Sequence, residues 1–180
     1  MTGSAGGHSP RTRRVVLALG SNLGDRLQNL QGGVDALLET PGVAFVAVSP
    51  VYETDPVGGP AQPDYLNAVL VAETAVPARL ILETALGVEK AFHRTRDVPD
   101  GPRTLDIDVI VWGDEVSDDP ALTLPHPRAH ERAFVLAPWL DADPGALIPG
   151  RGRVADLLAS VGTVGVRRRD DYVIKPPGDS

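Results

Sequence analysis

The segment Thr104-Leu105-Asp106-Ile107-Asp108-Val109-Ile110-Val111-Trp112 constrains the chain more than any other. Side chains alternate across a strand, so Leu105, Ile107, Val109 and Val111 share one face and Asp106 and Asp108 the other. The apolar face needs a core to cover it. The carboxylates, about 7 Å apart by strand rise, repel one another, and strands disfavour aspartate in any case. A divalent cation removes that penalty, because carboxylates together with substrate phosphates supply the hard oxygens that Mg²⁺ takes. A polar strand face turned to water would carry the same pair without a metal. Gly101-Pro102-Arg103 directly before it favours the metal reading.

With 180 residues, the chain suits one domain. Apolar residues make up 42% and charged residues 23%, which excludes a disordered or fibrous chain. No apolar run approaches the ~20 residues of a membrane span. The opening MTGSAGGHSPRTRR lacks the apolar centre of a signal peptide. There is no cysteine, so disulfides, thiolate metal sites and cysteine nucleophiles are excluded, and a reducing cytoplasm is the expected compartment.

Composition at the ends differs from the middle, so 1–14 and 167–180 are expected to be flexible tails around one domain, 15–166. The expected order inside it begins with a strand at Val15–Leu19 and a helix capped by Asp25 with apolar positions Leu27, Leu30, Val34, Leu37 and Leu38. Strands follow at Val43–Tyr52 and Tyr65–Ala72, then a helix after Pro77, then the strand at Thr104–Trp112. Helices near Ala133–Leu140 and Val154–Val161 come last. The order β-α-β-β-α-β predicts an α+β, ferredoxin-like fold: an antiparallel sheet with helices on one face, plus additional C-terminal helices.

The net charge is −7, and residues 15–166 alone hold 10 basic against 21 acidic residues. A core that acidic repels DNA and RNA unless its cations gather. Arg94, Arg96, Arg103, Arg128 and Arg132 are half of those cations, in one short stretch. Solvated surface charge is one reading; a site for a compact polyanion such as a nucleoside triphosphate is the other. Gly20-Ser21-Asn22-Leu23-Gly24 has neither the Lys-Ser/Thr of a P-loop nor dinucleotide-binding glycine spacing, and reads as the turn ending the first strand.

Five ordered motifs resemble the 6-hydroxymethyl-7,8-dihydropterin pyrophosphokinases of folate biosynthesis over about residues 15–148. They are LGSNLGD at 19–25; Tyr52-Glu53-Thr54 with Pro56 and Gly58; QPDYLN at 62–67; GPRTLDID at 101–108; and LPHPR at 124–128 with Arg132 and Phe134. The resemblance implies transfer of diphosphate from ATP to the pterin's hydroxymethyl group with release of AMP. It implies that Asp106 and Asp108 hold two Mg²⁺ ions, and that Arg94, Arg96, Arg103 and Arg132 face phosphate with His126 beside them. Of these, Arg94 and Arg103 join the aspartates as catalytic. His126 also stands between two prolines, where a turn residue would sit. Tyr65 and Phe134 would sandwich the pterin, Asn67 would read its edge, and Thr54, Asp55 and Val57 would line it largely through backbone. Only eight aromatic residues exist in the chain, although a lone Tyr or Phe more often packs in a core.

Two positions depart from the family pattern: Asp100 stands where it usually has Trp, and His93 where it usually has Gly. His8, His93 and His130 receive no role. Expected partners are ATP and the reduced pterin, without nucleic acid or membrane, for a chain more readily monomeric than oligomeric. A metal-dependent nucleotidyltransferase would use paired aspartates too but release pyrophosphate. A ferredoxin-like binding module would turn nothing over, and gives no reason for Asp106 and Asp108 beside Arg103.

Overall fold

Residues 11–56, 61–93 and 104–178 are described by a computed structural model. The chain runs β1 (Arg13–Ser21), α1 (Arg26–Leu38), β2 (Val43–Val48), β3 (Tyr52–Thr54), β4 (Tyr65–Thr74), α2 (Ala78–Phe92) and β5 (Asp106–Trp112). Then come β6 (Ser117–Asp119), β7 (Leu122–Leu124), a 3-10 turn (Ala129–Glu131), α3 (Ala133–Ala142), β8 (Leu147–Ile148), β9 (Gly152–Arg153), α4 (Val154–Val161) and β10 (Val166–Arg168). Six strands form one antiparallel sheet in the order β10-β3-β4-β1-β5, with β2 also on β4. Among the described residues no helix is long and apolar enough to cross a membrane.

The expected helices and strands form where periodicity placed them. Asp25 caps α1 by accepting the Gln28 N–H at 3.1 Å, and α1 buries Leu30, Val34 and Leu37. Gly33 costs the helix some propensity, and a Cβ there would lie 2.9 Å from both Leu19 and Leu105; its absence lets α1 settle onto the sheet. The expected strand Val43–Tyr52 is divided. Pro50 has no N–H for a ladder, and Ser49 bends the chain by accepting the Val69 N–H through its hydroxyl at 2.8 Å.

Helices cover both faces of the sheet, not one. Leu17, Leu19, Leu66, Leu70 and Ile107 pack beneath α1 and α2. Val16, Val69, Val71 and Ile110 pack against Val135, Leu136 and Trp139 of α3 and Val154 of α4. The C-terminal helices are therefore the second layer. Strict alternation along β1 and β4 supplies apolar residues to both layers, as a doubly covered sheet requires.

Several residues near both ends take part in the fold. Arg13 and Arg14 belong to β1, with Arg13 paired to Asp114 and Arg14 to Glu73 and Asp143. Residues 166–168 pair with β3, and Ile174 is buried in the core under α1 and α2. Basic ends read as solvated until the fold sets acids opposite them. Glu53 is the centre of that attachment, accepting from Arg26 at 2.8 Å and from Arg169 at 2.7 Å. Burial acts to raise the Glu53 pKa, but these two arginines outweigh it and hold the carboxyl below its ordinary 4.5.

A depressed carboxyl pKa stabilises the fold above its unfolded value and loses that contribution as pH falls through the folded value. Glu53→Gln is expected to lower stability by about 1–3 kcal/mol near neutral pH. The gap from wild type should close as pH falls below 4.5. Denaturant melts of both proteins across that range check it.

Candidate active site

The sheet register draws four positions into a line across one face: Tyr52 of β3, Asn67 of β4, Gly20 of β1 and Asp106 of β5. Thr54 faces Tyr65 on one side of that line, and Ala18 separates Val69 from Asp108 on the other. Strand alternation turns these residues toward the α3 layer, where Val69 packs and Ala18 and Phe134 lie partly buried. Gly20 is the floor between the two groups, buried beneath Asn67 and Tyr65. A Cβ there would lie 2.9 Å from Asn67 Oδ1 and 3.5 Å from Tyr65 Cδ1.

On the ring side, Asn67 and Thr54 are almost wholly buried, and Asn67 Nδ2 donates to Thr54 Oγ1 at 2.7 Å. That bond fixes the amide plane and leaves Oδ1 toward Gly20. Tyr65 is half-buried beside it. Tyr52 donates its hydroxyl to Asp141 on α3; burial, reinforced by that acid, pushes its pKa up to about 12. Asp55 turns its carboxylate outward to Arg167 at 3.1 Å, while its N–H donates to the Gly165 carbonyl.

On the acid side, Asp106 is half-buried and Asp108 exposed, with buried Ile107 between them facing the opposite core. His126 is anchored by its N–H to the Ile110 carbonyl at 2.8 Å. Its Nδ1 accepts the Arg128 N–H at 3.2 Å, so the neutral ring carries its proton on Nε2. Burial lowers the His126 pKa; Asp108 opposes this, and Arg132 and Arg128 add to it, leaving the ring neutral near pH 7. Arg132 is half-buried, feels the Asp108 charge, and holds its guanidinium carbon 5.6 Å from the centre of the Phe134 ring. Arg128 is tied to Glu131 at 3.1 Å.

The fold thus brings together Thr54, Tyr65, Asn67, Asp106, Asp108, His126, Arg132 and Phe134 around one sheet face. Val57, Arg94, Arg96, Arg103 and Asp100 lie outside the described residues. Sequence reasoning gave Gly20 only a turn. It also missed Glu89, whose carboxylate accepts the Ile107 N–H at 2.7 Å between the two aspartates. A glutamate four residues before His93 was the available signal, hidden by the stronger apolar pattern of α2.

Two carboxylates facing a cation and a neutral imidazole, beside a ring and a fixed amide, suit an enzyme that moves a phosphate-bearing group onto a flat substrate. The sequence model of the 7,8-dihydro-6-hydroxymethylpterin-pyrophosphokinase family matches residues 16–144. The chain belongs to that family.

It is 37% identical over 156 residues to a 2-amino-4-hydroxy-6-hydroxymethyldihydropteridine pyrophosphokinase of Pseudomonas aeruginosa, covering 87% of this chain and 96% of the relative. Identity to the protein of the same name from Mycobacterium tuberculosis is 45% over 150 residues, 77% of each chain. A solved structure of Plasmodium falciparum HPPK-DHPS, with pterin and p-hydroxybenzoate, shares the fold with a TM-score of 0.64 at 14% identity. The match covers 90% of this chain and 46% of that one, so the chain spans about half the length of that larger protein.

Proposed function

We infer that the chain transfers the terminal diphosphate of ATP to the hydroxymethyl group of 6-hydroxymethyl-7,8-dihydropterin, in folate biosynthesis. Membership of the family over residues 16–144 carries this reading. The hydroxymethyl oxygen forms a bond to the β-phosphorus, the bond from that phosphorus to the α,β-bridging oxygen breaks, AMP departs, and the hydroxyl proton goes to water. Little covalent work falls to the protein; positioning and charge neutralisation remain.

Tyr65 and Phe134 hold the pterin between their faces, and the Asn67 amide, fixed by Thr54, presents Oδ1 to its polar edge. Asp55 and Val57 belong to the pterin side on sequence resemblance. Gly20, lacking a Cβ, lets the Asn67 amide and the Tyr65 ring lie close against β1, between β4 and the strand that carries the aspartates. Arg132 and the Nε2–H of neutral His126 donate to phosphate oxygens. Arg94, Arg96 and Arg103 are assigned to phosphate on resemblance alone.

Asp106 and Asp108 fit a hard divalent cation: an all-oxygen pair on one strand face, one member open to solvent. Mg²⁺, two ions in this reading, neutralises phosphate charge when bound there. The sheet itself reads as ferredoxin-like if β2 and β3 are taken as halves of one bent strand, a view supported by both pairing with β4. A cytoplasmic monomer is the simplest setting, since one chain supplies both halves of the site.

Incubation with ATP, Mg²⁺ and the reduced pterin is expected to give AMP and pterin diphosphate in equal amounts. ADP with a monophosphorylated pterin, or pyrophosphate release, would overturn the reaction type. Tyr65→Ala and Phe134→Ala are each expected to weaken pterin binding by about 0.5–1.5 kcal/mol beyond lost contact area. ATP binding should barely change. A Phe134→Ala protein that loses thermal stability while keeping pterin affinity would assign that ring to the core.

A further inference from the structure

Among the described residues β5 is the last strand of the sheet, and no further strand pairs with its outward N–H and C=O groups. Two side chains of the α2 segment take that place. The Glu89 carboxylate accepts the Ile107 N–H at 2.7 Å, and His93 Nε2 lies 2.6 Å from the Leu105 carbonyl oxygen. These backbone groups flank Asp106, and they are the acceptor and donor that a neighbouring parallel strand would engage. Glu89 lies in the last turn of α2 and His93 is the residue that caps it, so both stand at the same end of the helix.

We propose that Glu89 and His93 are positioning residues that substitute for the missing strand, fixing the backbone on both sides of Asp106 so that Asp106 and Asp108 stand as a rigid pair. This rests on the assignment of those aspartates to the phosphate end of the site. Glu89 is half-buried where it meets the strand. His93 occupies the position where the family pattern has glycine. This chain therefore adds a contact to the strand that the pattern residue lacks the side chain to make.

Amide hydrogen exchange at Ile107, measured on the protein without nucleotide or metal, tests the contact directly. Glu89→Ala is expected to speed that exchange about ten- to hundredfold. It should also lower kcat about ten- to hundredfold while leaving the pterin KM unchanged. Glu89→Gln keeps an acceptor for the Ile107 N–H and is expected to restore both protection and most of kcat. His93→Gly should loosen the Leu105–Ile107 backbone less, by under about tenfold.

Unchanged Ile107 exchange in Glu89→Ala overturns the proposal. So does a Glu89→Gln protein with full protection but the turnover of Glu89→Ala, since charge and not position would then be at stake. The exchange arm decides the clamp even if the wild-type chain releases no AMP, an outcome that would sink the functional reading instead.

Discussion

Replacing Asp106 or Asp108 by alanine is expected to leave a folded protein whose turnover falls by about a hundredfold or more. Leu105, Ile107 and Val109 fill the core under α1 and α2 and face away from the substituted side chains, while Ile110 and Val111 keep their packing in the α3 layer. Stability of the unliganded protein should hold or rise. Each aspartate acts with burial to raise the Glu89 pKa, so removing one relieves repulsion shared by three carboxylates. Turnover should not recover at high ATP, because the loss lies in the chemistry and not in substrate capture. AMP release at saturating substrate, paired with a thermal melt without metal, separates the two effects. Near-normal turnover in either variant would remove the pair from the reaction.

Gly20→Ala should damage the other half of the site. The added Cβ would meet Asn67 Oδ1 at 2.9 Å, inside any ordinary contact for a methyl group. Asn67 has little room to retreat, being 7% exposed and tied to Thr54. The amide must tilt or the strand must shift, at about 1–3 kcal/mol of stability. The pterin KM is expected to rise about tenfold, since the edge-reading amide and the Tyr65 ring are displaced together. Nucleotide binding without pterin should change little. Titrating both ligands separately checks this; an unaltered pterin affinity would place the substrate away from the Gly20 floor.

Much of this was legible because periodicity is a local property. The alternation at Leu105–Val109 gave β5 and its acidic face, although an irregularity beyond it puts Val111 with Ile110 in the α3 layer and not with Val109; the cap at Asp25 gave the start of α1. Ordered motifs supplied Tyr65, Asn67, His126, Arg132 and Phe134, which the fold then gathers on one face. What stayed hidden depends on partners distant in sequence. The purpose of Gly33 needs Leu19 and Leu105; the attachment of Arg169 needs Glu53; the placement of Glu89 needs the outer edge of a strand 18 residues further on. Apolar residues at both alternating sets of positions in β1 and β4 match helices on both faces, whereas the β-α-β-β-α-β order predicts one layer only. Asp100 and the arginines of 94–103 belong to the sequence argument alone.

The attachment of β10 to β3 sets an order on assembly during synthesis. Both aspartates, the Gly20 floor and the rings of Tyr65 and Phe134 emerge from the ribosome before Val166–Arg168 does. Until then β3, three residues long, has β4 on one side and nothing on the other, and the place of Ile174 in the core is empty. The nascent chain thus carries its reactive groups while one border of the sheet is still exposed to pairing with a neighbouring chain. Arrival of residues 166–174 closes that border and seats Arg169 on Glu53 in the same event. Docking of residues 166–174 is the step that ends the risk of wrong association.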